Sequence, residues 1–337
     1  MTLTRSKFTF RILIWIAFLA VSSLPTLDAA SAADPIVIAH RGASGYLPEH
    51  TLAAASLAYG LGADYIEQDL VLSRDGVPVV LHDIHIDTVT DVAKRFPARK
   101  RSDGRYYAID FTLDELKSLR VNERIDPRSG QKVFPGRFPL GKSTFRVVTL
   151  TEQIELIQGL NASTGKSIGI YPEIKQPAWH RKNGQDISSQ VIDVLRTYGY
   201  TTKQDACYLQ CFEAAELKRI RRELGVKLKL IQLLSQLPSD VSSAEALRQI
   251  ATYADGIGPS LSLVCSFADG RPPQPGSLVT LAHGHQLQVH PYTVRSDALP
   301  AGVESLASLL ELLAEDVQID GLFTDHPDLC ANWLSNR

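Results

Sequence analysis

The sequence predicts an α/β protein whose fold is a (β/α)8 (TIM) barrel. Its 337 residues are 44% hydrophobic and 21% charged, which is enough for one large domain. Short apolar runs alternate with segments of helical spacing, and this alternation favours a parallel sheet. Eight such runs lie at 36–40, 64–72, 167–174, 206–212, 228–234, 255–260, 287–294 and 320–325. An open doubly wound sheet is the alternative, less favoured because no GxGxxG motif follows the first run.

A ninth apolar run, at 77–83, comes directly after the second. Only "SRDG" separates the two, and Asp75-Gly76 suits a hairpin turn. A parallel neighbour would need a crossover of a dozen or more residues. We therefore expect this run, which contains His82, to be antiparallel to its predecessor or folded over the barrel rim.

Helical spacing is clear in three segments between the runs, at 52–59, 150–160 and 212–224. Thr51 is expected to cap the first helix, and Thr149 or Thr151 the second. The long stretch at 84–146 has no such pattern and is rich in Pro, Gly, Arg and Lys. Structureless loops of this length are rare in compact domains, so we interpret it as a subdomain inserted between the second and third barrel strands. Its basic residues are expected to form a solvated surface, with attraction of an anionic substrate as the alternative.

The first 33 residues have the pattern of a secretory signal peptide. Arg5, Lys7 and Arg11 precede the apolar core at 12–24, and "DAASAADP" follows. Cleavage near Ala32 or Ala33 would leave a mature domain at 34–337, secreted across the inner membrane into the periplasm, with no stable membrane anchor. An uncleaved anchor is the alternative, although 13 apolar residues are few for a membrane span.

Charge and cysteine content exclude several other classes. A net charge of -2 argues against a dedicated nucleic-acid binder. Four cysteines, at 207, 211, 265 and 330, are too few for a disulfide framework in a chain of this length. Cys207 and Cys211 lie on one strand, roughly 13 Å apart by the usual rise per residue. They are therefore expected to be buried apolar residues and not a metal-ligand pair.

Polar side chains fall on one face of four predicted strands. Side chains at i and i+2 share a face of a strand. Because the outward face of a barrel strand packs on helices, these polar residues should point inward near the carboxyl ends, where barrel enzymes place their chemistry. The four polar faces are Tyr65/Glu67/Asp69, Tyr171/Glu173/Lys175, Tyr208/Gln210/Phe212 and Gln288/His290/Tyr292.

Three carboxylates, Glu67, Asp69 and Glu173, should therefore converge at the barrel mouth. Like charges in a desolvated site raise each other's pKa unless they are compensated. A divalent cation would compensate them, and ligation by oxygen alone favours Ca²⁺ or Mg²⁺ over Zn²⁺. Lys175 is an alternative source of compensating charge.

Two histidines each lie at the end of an apolar run: His40 closes the first strand and His82 the hairpin run. A histidine pair beside a carboxylate cluster is a candidate for general acid and base, because the imidazole pKa lies near neutrality. Arg41 could bind a phosphate through its planar set of donors.

These segments resemble the glycerophosphodiester phosphodiesterase family, and most nearly its secreted bacterial members. The resemblance extends from Ile36 to Asp328, with His50 standing where many members have asparagine. It is carried by "HRGASGYLPEHT", "GADYIEQDLVLSRDGVPVVLHD", "GIYPEIK", "YLQCF", "VHPYTVR" and "DGLFTD".

The resemblance implies hydrolysis of glycerophosphodiesters, such as glycerophosphocholine and glycerophosphoethanolamine, to sn-glycerol 3-phosphate and an alcohol. It implies that Glu67, Asp69 and Glu173 bind the metal, with Ca²⁺ expected. His40 and His82 would be the acid-base pair, and Arg41 and Lys175 would bind the phosphate. Supporting roles are expected for Glu49, Gln210, His290 and Tyr292.

Two alternative functions use the same barrel. A phospholipase of the phosphatidylinositol-specific or sphingomyelinase D type should expose an apolar rim for docking to a membrane, whereas the 84–146 stretch is polar. A non-catalytic binding protein should have lost one of the histidines or carboxylates, yet all five are present.

Overall fold

The barrel is seen in a computed structural model that describes residues 34–142, 144–237 and 242–337, together with Met1 and Thr2. Residues 3–33 of the predicted signal peptide lie outside the described residues. No helix in the described ranges is both long and apolar enough to cross a bilayer. The strands are β1 Ile36–Ala39, β2 Tyr65–Leu72, β3 Pro78–Val80, β4 Gly169–Ile174, β5 Tyr208–Cys211, β6 Lys229–Leu234, β7 Gly256–Pro259, β8 Cys265–Ala268, β9 Arg271–Pro275, β10 Gln288–Val289 and β11 Gly321–Thr324.

Helices connect the strands and cover the outside of the sheet. Short 3₁₀ turns occur at Pro97–Arg99 and Ala108–Asp110, and a π-helical turn at Leu312–Asp316. The α-helices are α1 Leu52–Gly60, α2 Val92–Arg95, α3 Leu113–Ser118, α4 Leu150–Thr164, α5 Pro177–Lys182, α6 Ile187–Thr197, α7 Ala214–Arg222, α8 Ser243–Ile250, α9 Leu261–Val264, α10 Leu278–His283, α11 Leu306–Glu311 and α12 Pro327–Ser335.

Eight parallel strands form the barrel wall, in the order β10-β7-β6-β5-β4-β2-β1-β11. The two ends of this order meet just beyond β10. The Val294 amide donates to the Phe323 carbonyl at 2.8 Å, and the Phe323 amide donates to the Pro291 carbonyl at 3.0 Å. All eight barrel strands coincide with the runs predicted from the sequence, so the (β/α)8 prediction is confirmed.

The predicted helices are present with small changes in their bounds. Thr51 caps α1 by accepting a hydrogen bond from the Ala54 amide, and Thr149, rather than Thr151, caps α4 through a reciprocal capping box with Glu152. The third helix begins at Ala214 instead of Phe212, because Phe212 still belongs to the inward face that continues β5.

Alternation along the strands divides the apolar from the polar residues as predicted. On β2, Ile66 and Leu70 pack in the large apolar cluster between sheet and helices, whereas Glu67 and Asp69 face the barrel interior. Cys207 and Cys211 are free, buried and on the outward side, which confirms that they are packing residues. A small interior layer closes the barrel beneath the polar residues, formed by Ile38, Tyr171, Tyr208, Ile231 and Phe323.

The ninth run forms β3, which is antiparallel to β2. The register pairs Leu70 with Val80 and Leu72 with Pro78, and Gly76 adopts a φ of 79° at the turn. The Leu81 amide then donates to the Asp69 carbonyl at 2.9 Å. The hairpin therefore pairs only with the carboxyl-terminal half of β2, which lies at the barrel mouth. His82, the residue after Leu81, is placed at the mouth for this reason.

The segment between β3 and α4 packs around an apolar cluster of its own. This cluster includes Ile86, Phe111, Leu116 and Val121, all of them buried. The expectation that its basic residues are solvated is wrong for two arginines. The side chains of Arg124 and Arg137 are only 17% and 5% exposed, because both extend from this segment toward the barrel mouth.

Glu123, in the same segment, provides a stability prediction. It is 4% exposed, its Oε2 atom has no hydrogen-bond partner, and burial together with nearby Glu49 raises its pKa from 4.5 to about 7. A carboxyl whose pKa is higher in the folded than in the unfolded chain destabilises the folded state when it is ionised. This destabilisation is largest above the folded-state pKa. We therefore expect Glu123→Gln to increase the free energy of unfolding by about 1–2 kcal/mol at pH 8, after allowing for solvent screening.

The gain should become smaller as the pH falls from 8 toward 4.5 and disappear well below pH 4.5, where the carboxyl is protonated in both the folded and the unfolded chain. Urea unfolding of the wild type and the variant at pH 5 and pH 8 measures the difference. An equal effect of the substitution at both pH values would contradict this account of Glu123.

Candidate active site

The inward-facing polar residues surround one cavity at the carboxyl ends of the barrel strands. Its volume is about 290 Å³. Most of the residues proposed from the sequence are brought together here, including both histidines from separate segments. The lining residues are His40, Arg41, Glu67, Asp69, His82, Glu173, Lys175, Gln210, Phe212, Leu233, Tyr292, Thr293, Arg295 and Phe323.

Three buried carboxylates, Glu67, Asp69 and Glu173, form the acidic centre of the cavity. Each offers an oxygen, and these oxygens lie within 4.8 Å of one another. The parallel register causes the convergence, because Asp69 of β2 pairs directly with Glu173 of β4. The buried Oδ1 atom of Asp69 has no hydrogen-bond partner. Close, partly unpartnered carboxylate oxygens are the donor set that hard divalent cations prefer, so these residues fit a metal ion.

Lys175 is the nearest cation to this cluster. Its Nζ lies 2.8 Å from Glu173 Oε1 and 3.6 Å from Asp69 Oδ1. Burial nevertheless raises the pKa of Glu173 to about 8, and burial together with the charge of Asp69 raises that of Glu67 well above 4.5. Lys175 and the neighbouring histidines hold the pKa of Asp69 well below 3.8, but Glu67 and Glu173 stay uncompensated, which is the condition under which a cation stabilises the site.

His40 is oriented by a buried aspartate at the end of β11. Its Nδ1 lies 2.5 Å from Asp325 Oδ1, while its Nε2 lies 3.8 Å from Glu67 Oε2. An imidazole that donates from Nδ1 to a carboxylate has Nε2 available to accept a proton. Burial and the charge of Arg41 lower the pKa of His40 to about 4, so the ring is neutral near pH 7.

His82 has a similar partner in the next residue of the chain. Its Nδ1 lies 2.8 Å from Asp83 Oδ1. Burial and Arg41 also lower the pKa of His82 to about 4. The two histidines of the cavity therefore have matching arrangements, each with an aspartate at Nδ1.

Arg41 follows β1 with its backbone in the left-handed region, at a φ of 59°. Its amide donates to Glu67 Oε2 at 2.9 Å, and its Nη1 donates to the two oxygens of Glu49 at 3.0 and 3.2 Å. Glu49 thus lies behind the guanidinium and not among the cavity-lining residues. Its two oxygens hold the Arg41 guanidinium in place.

His50 contacts the acidic cluster directly. Its Nε2 lies 2.7 Å from Asp69 Oδ2. Gln210 makes the corresponding contact on the other side, where its Nε2 donates to Glu67 Oε1 at 3.0 Å. Both residues therefore fix the orientation of a carboxylate in the cluster.

The other two expected supporting residues occupy different places. Tyr292 lines the cavity with its ring edge toward Phe212 and donates its hydroxyl to the Leu234 carbonyl at 3.2 Å. His290 lies in the interior layer below, where its Nδ1 is 2.8 Å from the Tyr171 hydroxyl. His290 does not line the cavity, so its contact with the site is indirect.

Sequence reasoning missed five charged residues at or next to the cavity: Asp83, Arg295 and Asp325, together with two arginines of the segment between β3 and α4, Arg124 and Arg137. Asp325 ends the strand run "GLFTD" and could have been found by the rule that selected Glu173, because it stands at the carboxyl end of a barrel strand. Asp83 directly follows His82. The two arginines lie in an aperiodic segment, and nothing in their spacing indicates their direction.

A barrel whose mouth combines two histidines, a carboxylate cluster and basic side chains defines an enzyme that acts on phosphate esters. The chain belongs to the glycerophosphoryl diester phosphodiesterase family, whose model matches residues 40–329. This is an enzyme family, and the match spans all the cavity-lining residues.

Curated relatives agree with this assignment. A glycerophosphodiester phosphodiesterase of Haemophilus influenzae is 44% identical over 327 residues, covering 89% of this chain and 90% of the relative. One from Treponema pallidum is 36% identical over 334 residues, covering 91% of this chain and 94% of the relative.

Solved structures share the fold at lower identity. A phosphodiesterase of Oleispira antarctica, in complex with the product sn-glycerol-3-phosphate, aligns with a TM-score of 0.61 at 21% identity, covering 90% of this chain and 98% of that one. A glycerophosphodiester phosphodiesterase of Agrobacterium tumefaciens aligns with a TM-score of 0.57 at 21% identity, covering 88% of this chain and 99% of that one.

Proposed function

We propose that the protein hydrolyses glycerophosphodiesters, including glycerophosphocholine and glycerophosphoethanolamine, to sn-glycerol 3-phosphate and a free alcohol, with the help of a divalent cation. The observation that carries the proposal is the convergence of His40, His82 and the three carboxylates on one cavity. Family membership supports the same reaction, and the product named for the Oleispira structure is consistent with it.

Glu67, Asp69 and Glu173 would hold the cation, and their all-oxygen donor set favours Ca²⁺, with Mg²⁺ as the alternative. Such an ion would neutralise charge that develops on the phosphoryl oxygens. Arg41 and Lys175, on the same cavity, would bind those oxygens from the protein side.

The two histidines would move the protons. In the first step, the base histidine accepts a proton at Nε2 from the 2-hydroxyl of the glycerol, and that oxygen attacks phosphorus. The bond between phosphorus and the alcohol oxygen breaks, and the other histidine, which must be doubly protonated in the substrate complex, gives its Nε2 proton to the leaving alcohol. The roles then reverse: the second histidine accepts a proton from the water that attacks phosphorus, the bond between phosphorus and the glycerol 2-oxygen breaks, and the first histidine returns its proton to that oxygen, giving glycerol 3-phosphate. Asp83 and Asp325 favour the protonated imidazole, as does the anionic substrate.

Attack by the 2-hydroxyl makes that group essential. A phosphodiester of 2-deoxyglycerol should therefore be turned over at least about 10²-fold more slowly, because its nucleophile is absent while the phosphate contacts remain. Competitive inhibition of glycerophosphocholine hydrolysis by the same compound serves as the binding control. Undiminished turnover of the 2-deoxy compound would exclude the internal nucleophile.

Substrate choice separates the proposal from a phospholipase that works on the same barrel. We expect release of choline and glycerol 3-phosphate from glycerophosphocholine, and no release of headgroup from phosphatidylcholine or sphingomyelin vesicles at equal phosphodiester concentration. Enzymatic detection of glycerol 3-phosphate and choline measures both reactions. Preferential cleavage of the vesicle lipids would contradict the proposal.

A further inference from the structure

Arg124 extends from the segment between β3 and α4 to the carboxylate that orients His82. Its Nη1 donates to Asp83 Oδ2 at 2.6 Å, while Oδ1 of the same carboxylate contacts His82. Its Nε and Nη2 donate to the two oxygens of Glu49 at 2.9 and 2.6 Å. Since Glu49 also holds Arg41, one arginine stabilises the surroundings of a histidine and of the expected phosphate ligand.

Arg137 does the same for His40, from farther along the segment. Its Nη2 donates to Asp325 Oδ2 at 2.6 Å, while Oδ1 contacts His40. Its position is fixed by a bidentate contact with Asp297, at 2.8 and 3.0 Å, and by the Phe134 ring, whose centroid lies 3.6 Å away. The barrel's own Arg295 also donates to Asp325 Oδ2, at 2.7 Å.

We infer that Arg124 and Arg137 are positioning residues for the reaction, each fixing the aspartate that orients one histidine of the acid-base pair. The inference rests on the proposed function, because it assumes that His40 and His82 transfer protons. In both pairs, Oδ1 of the aspartate contacts the histidine and Oδ2 accepts from an arginine of the segment between β3 and α4. This segment therefore fixes both aspartate–histidine pairs relative to the cavity.

The physical reason is that an aspartate with one free oxygen can rotate about its terminal torsion, which is broad and soft. A charge-assisted bond to the second oxygen removes that freedom and fixes the plane of the imidazole. Misplacement of a catalytic group by about 1 Å can reduce the rate roughly 10²-fold. We expect the larger loss for Arg124, since Arg295 continues to hold Asp325 when Arg137 is removed.

The test compares Arg124→Met and Arg137→Met on two substrates, glycerophosphocholine and the p-nitrophenyl ester of glycerol 3-phosphate. Nitrophenolate leaves without needing a proton, so the second substrate does not depend on the acid histidine. On glycerophosphocholine, kcat/KM should fall about 10²-fold for Arg124→Met and about tenfold for Arg137→Met. On the nitrophenyl substrate, the loss in kcat/KM should be smaller for only one of the two variants. That variant is the one whose arginine positions the histidine that acts as the acid.

The matched control is Arg101→Met, which removes a bidentate contact with Asp110 in the same segment, at 2.6 and 2.7 Å, away from the cavity. Its kcat/KM should stay within about twofold of the wild type. Measuring both substrates on one preparation makes their ratio independent of the folded fraction, and Arg124→Lys and Arg137→Lys provide milder variants if the Met variants unfold.

Three results would overturn the inference. The first is a loss in kcat/KM no larger than that of the control. The others are a ratio of kcat/KM on the two substrates that equals the wild-type ratio in both variants, or that shifts equally in both. The proposed function fails separately. A wild-type enzyme that does not hydrolyse glycerophosphocholine would overturn the proposed reaction. A fully active His40→Ala or His82→Ala variant would overturn the histidine roles.

Discussion

Replacing His40 or His82 by alanine should leave a folded protein with about 10⁻² to 10⁻⁴ of the wild-type activity on glycerophosphocholine, the usual range for loss of general acid-base catalysis. Both rings line the cavity, and each has an aspartate at Nδ1 that leaves Nε2 for the substrate. The carboxylate cluster remains intact in both variants. Steady-state kinetics together with circular dichroism measures the effect.

The two histidine variants should also differ from each other with an activated leaving group. The nitrophenyl substrate needs no proton on its leaving oxygen, so the variant that lacks the acid should recover most of its rate on it. His283→Ala is a suitable control, because His283 contacts Asp320 at 2.9 Å on the outer helix α10, outside the cavity. Near-normal turnover of glycerophosphocholine by His40→Ala or His82→Ala would remove that residue from the mechanism.

The second large effect is expected from the carboxylate cluster. Asp69→Asn removes a charge from the group of oxygens that converge within 4.8 Å, and with it a ligand to the expected cation. Metal ions contribute several kcal/mol to stabilising transition-state charge, and each 1.4 kcal/mol corresponds to a factor of ten. The variant should therefore lose roughly 10²- to 10³-fold in kcat/KM and bind Ca²⁺ more weakly in calorimetry.

Asp193→Asn is the control for this experiment, since that carboxylate is 72% exposed on α6 and belongs neither to the cluster nor to the cavity lining. It should bind Ca²⁺ and turn over substrate as the wild type does. Unchanged Ca²⁺ affinity in the Asp69 variant would show that the cation, if bound, is held elsewhere.

Much of the barrel could be predicted because buried parallel strands and their inward faces leave simple patterns. In "DYIEQDL", Glu67 and Asp69 fall on one face of the strand and Ile66 and Leu70 on the other, and in a parallel barrel the face on which a side chain lies determines which side chains it meets. Asp69 and Glu173 converge for this reason, although they are more than a hundred residues apart in sequence. The hairpin was equally predictable, because "SRDG" is too short for any other connection.

The environment of the histidines could not be predicted in the same way. Asp325 holds His40 across nearly the whole length of the chain, and the pairing depends on the first and last strands, β1 and β11, being neighbours in the barrel. The segment between β3 and α4 has no periodicity from which a side-chain direction follows. Arg124 and Arg137 therefore looked like solvated charges until the fold placed them against Asp83 and Asp325.

The most direct test of the proposed function is the release of glycerol 3-phosphate from glycerophosphocholine by the purified chain, before and after chelation. The account predicts hydrolysis that is abolished by excess chelator and restored by Ca²⁺ or Mg²⁺ but not by Zn²⁺, because Glu67, Asp69 and Glu173 offer only hard oxygen ligands. Full activity in excess chelator, or no release of glycerol 3-phosphate with any of these ions, would contradict it.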